Sequence, residues 1–241
     1  MIDVYSQRYF DRIKRVYKET LEENEKGIFI DCGGHDGCSA IKFISVNPDF
    51  DCVTFEPNPD LWKFYEDVPT TLMKSAVFSK NGRISFILDE NDLGSSLIPS
   101  KQMLNQSKNV NNKIIVRCIR LAEFIEHLSK TYSKIILKLD VEGAEYEILD
   151  DLLKSNQCKN ISKLYAEFHW FKCDTKIYTP IRHELLMRNL VDWFPICEWD
   201  ASRFTVSGES DNIKNIRKLF SEQHFKDIKK YQNLKFGDKY E

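Results

Sequence analysis

The chain has 241 residues, of which 42% are hydrophobic and 30% charged, and its formal net charge is −2. This length suits one large α/β domain with a sizeable core. The nearly neutral charge argues against an electrostatic nucleic-acid binder. The N-terminus lacks an apolar signal core and no apolar run is long enough to span a membrane, so we expect a cytoplasmic protein without a membrane partner.

The cysteines are odd in number and form no CxxC pair. Most of them lie inside apolar segments, which indicates reduced, buried thiols and argues against a structural zinc site. Their positions are Cys32, Cys38, Cys52, Cys118, Cys158, Cys173 and Cys197.

The first part of the chain alternates helical and strand patterns. Apolar and aromatic side chains at roughly helical spacing predict a helix over residues 2–23. Two short apolar runs, "GIFIDC" (27–32) and "DCVTFEP" (51–57), are predicted strands. The segments that follow them, "CSAIKFISV" (38–46) and "PDLWKFYEDV" (59–68), are predicted helices, the second opened by a proline.

A hairpin and a long loop are predicted next. The stretches "TTLMKSAVF" (70–78) and "GRISFILD" (82–89) have strand patterns, and the Asn-Gly pair in the intervening "SKNG" favours a hairpin turn between them. Residues 89–112 are polar and mostly irregular. Loops of this length are usually functional or disordered, and this one is the candidate lid over a ligand site.

Strands and helices continue to alternate in the second half. The predicted strands are 113–119, 134–140 and 161–168, with two late strands at 196–200 and 203–208; the predicted helices are 120–130, 143–155 and 179–194, and the tail from 210 is helical and polar. This alternation predicts a mostly parallel sheet with helices on both faces, and the adjacent late strands suggest an antiparallel edge. One domain is the simplest organisation, with an N-terminal helix (1–25), a core (27–207) and a helical tail (208–241).

A glycine-rich turn, "DCGGHDG", follows the first strand, where ligands bind in doubly wound sheets. Gly33, Gly34 and Gly37 let the backbone turn tightly and approach a ligand. A dinucleotide turn would have glycine where Asp31 stands, and an acid there would repel a pyrophosphate. It would suit the amino group of an amino-acid moiety, which points to S-adenosylmethionine.

Glu56 ends the second predicted strand and is followed by Pro57 and Asn58. An acid at this place commonly accepts hydrogen bonds from ribose hydroxyls. The alternative interpretation is that Asp31 and Glu56 are ordinary acids at strand ends. The glycine turn together with Glu56 favours binding of a nucleoside.

Five segments occur in the order "FIDCGGHDGCSAIKF", "VTFEPNP", "SAVFSKNGRISF", "GSSL" and "IILKLDVEGAEYEIL". Together they resemble the FkbM family of S-adenosylmethionine-dependent methyltransferases over about residues 27–170. The resemblance implies a class I (Rossmann-like) fold with a seven-stranded sheet. It also implies methyl transfer to oxygen, often on a sugar or a natural product.

Carried over by position, the resemblance implies a cofactor site around the turn and the strand ends. Ser75 and Ala76 match the position beside the adenine, and Ser95 and Ser96 match a loop near the cofactor. The full predicted set is Asp31, Gly33, Gly34, Gly37, Glu56, Pro57, Asn58, Ser75, Ala76, Ser95, Ser96 and Asp140. His35, inside the turn, is given no role.

The acceptor hydroxyl must lose its proton to a base or have its pKa lowered by a metal. Asp140 ends one predicted strand, with Glu142 just beyond, while Glu167 and His169 end the strand predicted to be its neighbour. We therefore predict that Asp140, Glu167 and His169 converge as catalytic residues. The same three suit a divalent metal such as Mg or Mn.

Plainer interpretations stay open. Glu142 and Glu145 lie at the start of a predicted helix, where acids favour the helix dipole. Lys138 fits a strand lysine that pairs with an acid, and His169 fits a simple base or a hydrogen-bond partner. Three aromatic residues that follow His169 are equally compatible with a wall for the acceptor and with the core: Trp170, Phe171 and Tyr178.

The leading hypothesis is an O-methyltransferase acting on a sugar, a glycan or another small hydroxyl compound. N-methylation of a small molecule or a protein is the alternative within enzymes. A non-catalytic cofactor-binding domain is the alternative outside them, and the acids retained at both strand ends disfavour it.

Overall fold

The protein is described here by a computed structural model, which covers residues 4–89, 94–99, 112–199 and 227–240. The strands in these ranges are β1 (Gly27–Cys32), β2 (Asp51–Phe55), β3 (Thr71–Met73), β4 (Ala76–Phe78), β5 (Gly82–Ile87), β6 (Lys113–Arg120), β7 (Lys134–Leu139), β8 (Lys163–Ala166) and β9 (Ile196–Glu198). The α-helices are α1 (Val4–Tyr17), α2 (Cys38–Val46), α3 (Leu121–Leu128), α4 (Glu145–Lys154), α5 (Pro180–Leu190) and α6 (Lys229–Gln232), and 3-10 helices span Pro59–Tyr65, Cys158–Asn160 and Trp170–Lys172.

Six strands form one parallel sheet in the order β3-β2-β1-β7-β8-β9. All six residues of β1 are buried, as expected of a strand with both faces covered. In the register of the sheet, Asp31 pairs with Thr54 of β2 on one side and with Lys138 of β7 on the other. Because the strands are parallel, their carboxyl ends meet at one edge.

Side chains alternate between two cores along β1. Ile28 and Ile30 face a core that also contains Phe124 of α3 and Leu149 of α4. Phe29 faces the other core, which contains residues of α1 and α2. The α/β architecture with helices on both faces is therefore confirmed for the part of the chain that the structure describes.

The predicted hairpin between 70–78 and 82–89 is wrong. The first stretch is divided between two sheets, with β3 in the large one and β4 in a second, three-stranded sheet of order β4-β6-β5. There β6 lies between the two proposed partners, parallel to β4 and antiparallel to β5. The Asn-Gly turn contributes to this arrangement because Asn81 accepts a hydrogen bond from the backbone N–H of Arg120 at the end of β6 (2.8 Å).

Several other predicted elements differ in detail or lie outside the described residues. The predicted helix at 59–68 is a 3-10 helix, Pro59–Tyr65, capped by Asn58. Of the late strands, β9 is parallel to β8, while 203–208 is outside the described ranges. Of the predicted lid, 89–112, the structure describes residues 94–99 and the two end residues, 89 and 112. Among the described residues, no helix has the length and apolarity to cross a membrane.

Candidate active site

The predicted acids of the cofactor site and of the catalytic group lie at the carboxyl edge of the large sheet. Asp31 and Glu56 are at the ends of β1 and β2, and Asp140 and Glu167 directly follow β7 and β8. The backbone keeps these ends level: Asp140 N–H donates to the Cys32 carbonyl, and Glu167 N–H donates to the Leu139 carbonyl. The acids therefore stand side by side because the strands that carry them are neighbours.

The glycines of the turn are required by the protein's own packing. A Cβ at Gly33 would overlap the carbonyl oxygen of Asp140, and one at Gly34 would overlap Thr54. Gly37 begins α2 at φ 83°, in the left-handed region, and a Cβ there would lie 2.6 Å from Val68 Cγ2. The turn is thus pressed against the strand ends.

Glu56 fixes the turn through its carboxylate. Its Oε2 accepts the backbone N–H of His35 (2.8 Å), and its Oε1 accepts that of Asn58 (2.7 Å). Burial raises the pKa of Glu56 to about 7, although these two hydrogen bonds oppose the shift. Glu56 therefore holds the turn through the backbone of His35, whose φ is 50°.

A buried ion pair lies beneath the turn. The side chains of Asp31 and Lys138 are 0% and 1% exposed, and Lys138 Nζ lies 3.1 Å from Asp31 Oδ1. Burial raises the pKa of Asp31, and the positive charge of Lys138 opposes that shift. Burial would lower the pKa of Lys138, but the charges of Asp31 and Asp140 outweigh it and raise that pKa.

His169 is the centre of a second group of charges and is itself fully buried. Its Nδ1 lies 2.9 Å from Glu145 Oε1. Its Nε2 lies 3.2 Å from Glu167 Oε1, 3.5 Å from Glu142 Oε2 and 4.0 Å from Asp140 Oδ1. The predicted convergence of Asp140, Glu167 and His169 is therefore present in the geometry, and their catalytic role stays a prediction.

These contacts set the protonation of the group. Burial disfavours a charged imidazole, but hydrogen bonds with Glu145 and Glu167 and the charge of Glu142 outweigh it and raise the pKa of His169 to about 10. The hydrogen bond with His169 lowers the pKa of Glu167, whereas burial raises that of Asp140. At neutral pH His169 is therefore an imidazolium that binds carboxylates and has no lone pair for a proton.

Among the described residues, Asp140, Glu142 and His169 place one possible ligand atom each within 4.8 Å of one another. The predicted metal set had Glu167 in place of Glu142, and both carboxylates contact the same nitrogen of His169. The sequence pattern predicts for Glu145 only a favourable place at the start of a helix. It accepts the N–H groups of Val141 and Gly143 and also contacts His169, which lies 24 residues further on.

The "GSSL" segment joins the loop that carries Glu142. Ser96 is fully buried, and its hydroxyl donates to the carbonyl of Glu142 (2.6 Å). Ser95 accepts the backbone N–H of Asp89. Ile98, the residue directly after this segment, packs beside Gly143. The segment therefore lies at the candidate site, on the side of Glu142.

Two buried hydroxyls near Glu56 have no hydrogen-bond partner among the residues that the structure describes. They belong to Ser75, between β3 and β4, and to Tyr65, which contacts the turn at Gly34. Ala76, the other predicted adenine neighbour, is buried in β4, and Pro57 is half-buried. Buried hydroxyls of this kind are expected to meet a ligand or water.

The aromatic residues after His169 divide between core and surface. Tyr178 is buried in the core and its hydroxyl donates to Glu147 (2.9 Å). Trp170 is half-buried and stacked on His183, and Phe171 is 54% exposed. Only Trp170 and Phe171 are therefore available as a wall beside the site.

The chain matches the family model described as Methyltransferase FkbM domain over residues 31–225. The matched range contains the glycine turn, Glu56, the carboxylates after β7 and β8, and His169. The comparisons with curated proteins and with solved structures gave no significant match.

Proposed function

The chain belongs to the FkbM methyltransferase family, and from that premise we propose that it methylates a hydroxyl of a sugar, a glycan or another small molecule with S-adenosylmethionine as donor. The carrying observation is the juxtaposition at one sheet edge of a glycine turn held by Glu56 and a carboxylate cluster around His169. We also propose that the chain has the class I (Rossmann-like) methyltransferase fold, with a seventh strand in the large sheet.

The residues around the turn fit the donor. Glu56 has carboxylate lone pairs beyond the two used by His35 and Asn58, which suits two ribose hydroxyls. The hydroxyls of Ser75 and Tyr65, without a partner in the described part of the chain, suit the polar edges of a nucleoside. The proposed site is completed by the "GSSL" segment and the other predicted residues around the turn, except Asp31, whose side chain is 0% exposed and paired with Lys138.

The chemistry needs a proton acceptor beside the acceptor hydroxyl. When bound, S-adenosylmethionine supplies a sulfonium methyl group, which forms a carbon–oxygen bond with the acceptor as its carbon–sulfur bond breaks. Two carboxylates of the cluster around His169, Asp140 and Glu167, have side chains that are 21% and 35% exposed. We assign the proton to one of them, and His169 orients both.

A divalent cation fits the same group. Asp140, Glu142 and His169 offer two oxygens and one nitrogen, with Glu167 adjacent, a mixture that suits Mn or Mg. The contact of Glu145 with His169 Nδ1 leaves Nε2 directed toward the three carboxylates, as in carboxylate–histidine–metal arrangements. A cation would bind this nitrogen by displacing the Nε2 proton of the imidazolium, so its binding would release a proton. Such a cation would lower the pKa of the acceptor hydroxyl.

The test is formation of S-adenosylhomocysteine across free sugars, nucleotide-linked sugars and small amines, with and without EDTA. Turnover with a hydroxyl compound is the expected result, and loss in EDTA with recovery in Mn or Mg supports the metal. Turnover with amines alone would overturn O-methylation. Binding of NADH without binding of S-adenosylmethionine would overturn the donor.

A further inference from the structure

Lys138 links the two halves of the candidate site. It lies in β7, and its Nζ donates to the carbonyl of Gly33 in the turn (2.8 Å). The same Nζ lies 3.1 Å from Asp31 Oδ1 and 3.5 Å from Asp140 Oδ2. One ammonium group therefore contacts β1, the turn and the acid at the end of β7.

The sequence places a charged side chain at a buried position where an apolar residue would often be at least as stable. Lys138 interrupts the apolar run "KIILKL" of β7, whose last five residues are all buried. A buried lysine is tolerated only when paired, and well-packed apolar residues in place of a buried pair are often as stable. The buried ammonium therefore suggests a role in function, and its contacts indicate which role.

We propose that Lys138 is a positioning residue that fixes the distance between the donor-binding turn and Asp140. The inference rests on the proposed function. Asp140 has like-charged neighbours, Glu142 and Glu167, and its second oxygen is held by Lys138. The Gly33 carbonyl, on the other side, is held by the same ammonium.

Lys138 itself is not a reacting group. Its side chain is 1% exposed, and its ammonium donates to the Gly33 carbonyl and forms ion pairs with Asp31 and Asp140. A substrate atom has no access to it. Asp31 is its counter-charge, so Asp31 acts on the site through Lys138 and the turn.

The experiment compares Asp31→Asn with the double variant Asp31→Asn/Lys138→Met. The double variant lacks both charges of the buried pair, so no unpaired charge is left where Asp31 stood. Lys163→Met is the matched control, because Lys163 also lies on a parallel strand and pairs with an acid, Glu19 (2.9 Å). Lys163 begins β8, so it lies at the end of that strand away from the candidate site. Thermal unfolding, titration calorimetry with S-adenosylmethionine and with S-adenosylhomocysteine, and kcat are measured for each.

We expect the double variant to unfold near the temperature of Asp31→Asn but to bind both compounds about tenfold more weakly, because the turn loses its anchor. We expect its kcat, with the acceptor found by turnover, to be about a hundredfold lower, as a displacement near 1 Å can cost. Lys163→Met should change neither.

Three outcomes would overturn the proposal. Equal affinities and kcat in the two Asp31 variants would make Lys138 merely structural. Tighter binding of the cationic sulfonium compound with unchanged binding of the neutral product would make Lys138 a charge in the pocket and not a positioner. If the double variant and Asp31→Asn/Lys138→Gln both fail to fold while Asp31→Asn folds, the role is structural. Absence of binding in the unaltered protein would instead overturn the proposed function.

Discussion

At the scale of single residues, the site is defined by charges that are buried and shared. Glu56 illustrates this, since one carboxylate accepts two backbone N–H groups from different sides of the turn. Burial raises its pKa from 4.5 to about 7, so between these pH values the folded protein keeps a proton on Glu56 that the unfolded chain releases. The contribution of Glu56 to the free energy of unfolding therefore falls as pH rises from about 4.5 to about 7.

The same shift makes donor binding depend on pH. Ribose hydroxyls donate to an ionised carboxylate, so S-adenosylmethionine should bind more tightly as pH rises from 6 to 8. Glu56→Gln should remove this dependence and weaken binding by about ten- to a hundredfold, the value of a hydrogen bond to a charged group. Titration calorimetry at several pH values is the measurement. An unchanged pH dependence in the variant would assign the titration to another group.

A second prediction at this scale concerns Asp140. Asp140→Asn keeps the shape of the side chain and removes its charge. Turnover should fall by about 10²–10⁴, the usual effect of losing a general base, while binding of S-adenosylmethionine changes only severalfold. Asp192→Asn, an exposed acid, is the control. Near-normal turnover in Asp140→Asn would move the proton transfer to Glu167 or away from this edge.

At the scale of elements, the turn between β1 and α2 is a rigid piece of the sheet edge. Gly33 and Gly37 combine a positive φ with a neighbour that a Cβ would strike, Asp140 and Val68 respectively. Gly237 has a similar φ, 88°, with open space around it. The three positions therefore separate backbone strain from steric exclusion.

We expect Gly237→Ala to lower the free energy of unfolding by about 1–2 kcal/mol, from the left-handed backbone alone. Gly37→Ala should cost about 1–3 kcal/mol more because of the contact with Val68. Gly33→Ala should be the most destabilising, since its obstacle is a backbone carbonyl that cannot rotate away. Urea unfolding measures all three, and equal losses would show that packing against the turn is unimportant.

Much of this arrangement follows from short-range patterns in the sequence. The apolar runs and the acids that end them predicted which side chains would stand at one edge, because parallel strands align their carboxyl ends. The hairpin failed because an Asn-Gly turn reports local geometry and cannot show that β6 would enter between β4 and β5. The contacts of Lys138 with Asp31 and of Glu145 with His169 depend on register and helix position, which a local pattern does not contain.

At the scale of the whole molecule, the C-terminal segment 227–240 connects distant parts of the fold. The carbonyl of Tyr231 accepts the hydroxyl of Thr71 in the edge strand β3 (2.6 Å). Farther on, Phe236 and Tyr240 pack edge-on against Phe124 of α3. The segment thus contacts the edge strand β3 through Tyr231 and the helix α3 through Phe236 and Tyr240.

Gln232 connects this segment to the candidate donor site. Its Nε2 lies 2.7 Å from the carbonyl of Glu66, 3.3 Å from that of Val68 and 3.4 Å from that of Tyr65. Val68 and Tyr65 are the side chains that press on Gly37 and Gly34. Tyr65 and Val68 form the outer wall of the turn, and the C-terminal segment supports that wall through Gln232.

Gln232→Ala should consequently weaken binding of S-adenosylmethionine by several-fold while the protein stays folded, because the wall of the turn loses a donor shared by three carbonyls. Asn233→Ala is the matched control, since among the hydrogen bonds described the Asn233 amide contacts only the carbonyl of Lys229, in the helix α6 that Asn233 follows. Phe236→Ala is the contrasting variant: it should cost about 3–5 kcal/mol of stability, as buried aromatic truncations do, through the core around Phe124. Calorimetry and urea unfolding on the three variants separate the effects. If Gln232→Ala binds the donor as well as Asn233→Ala does, the C-terminal segment stabilises the fold without shaping the site.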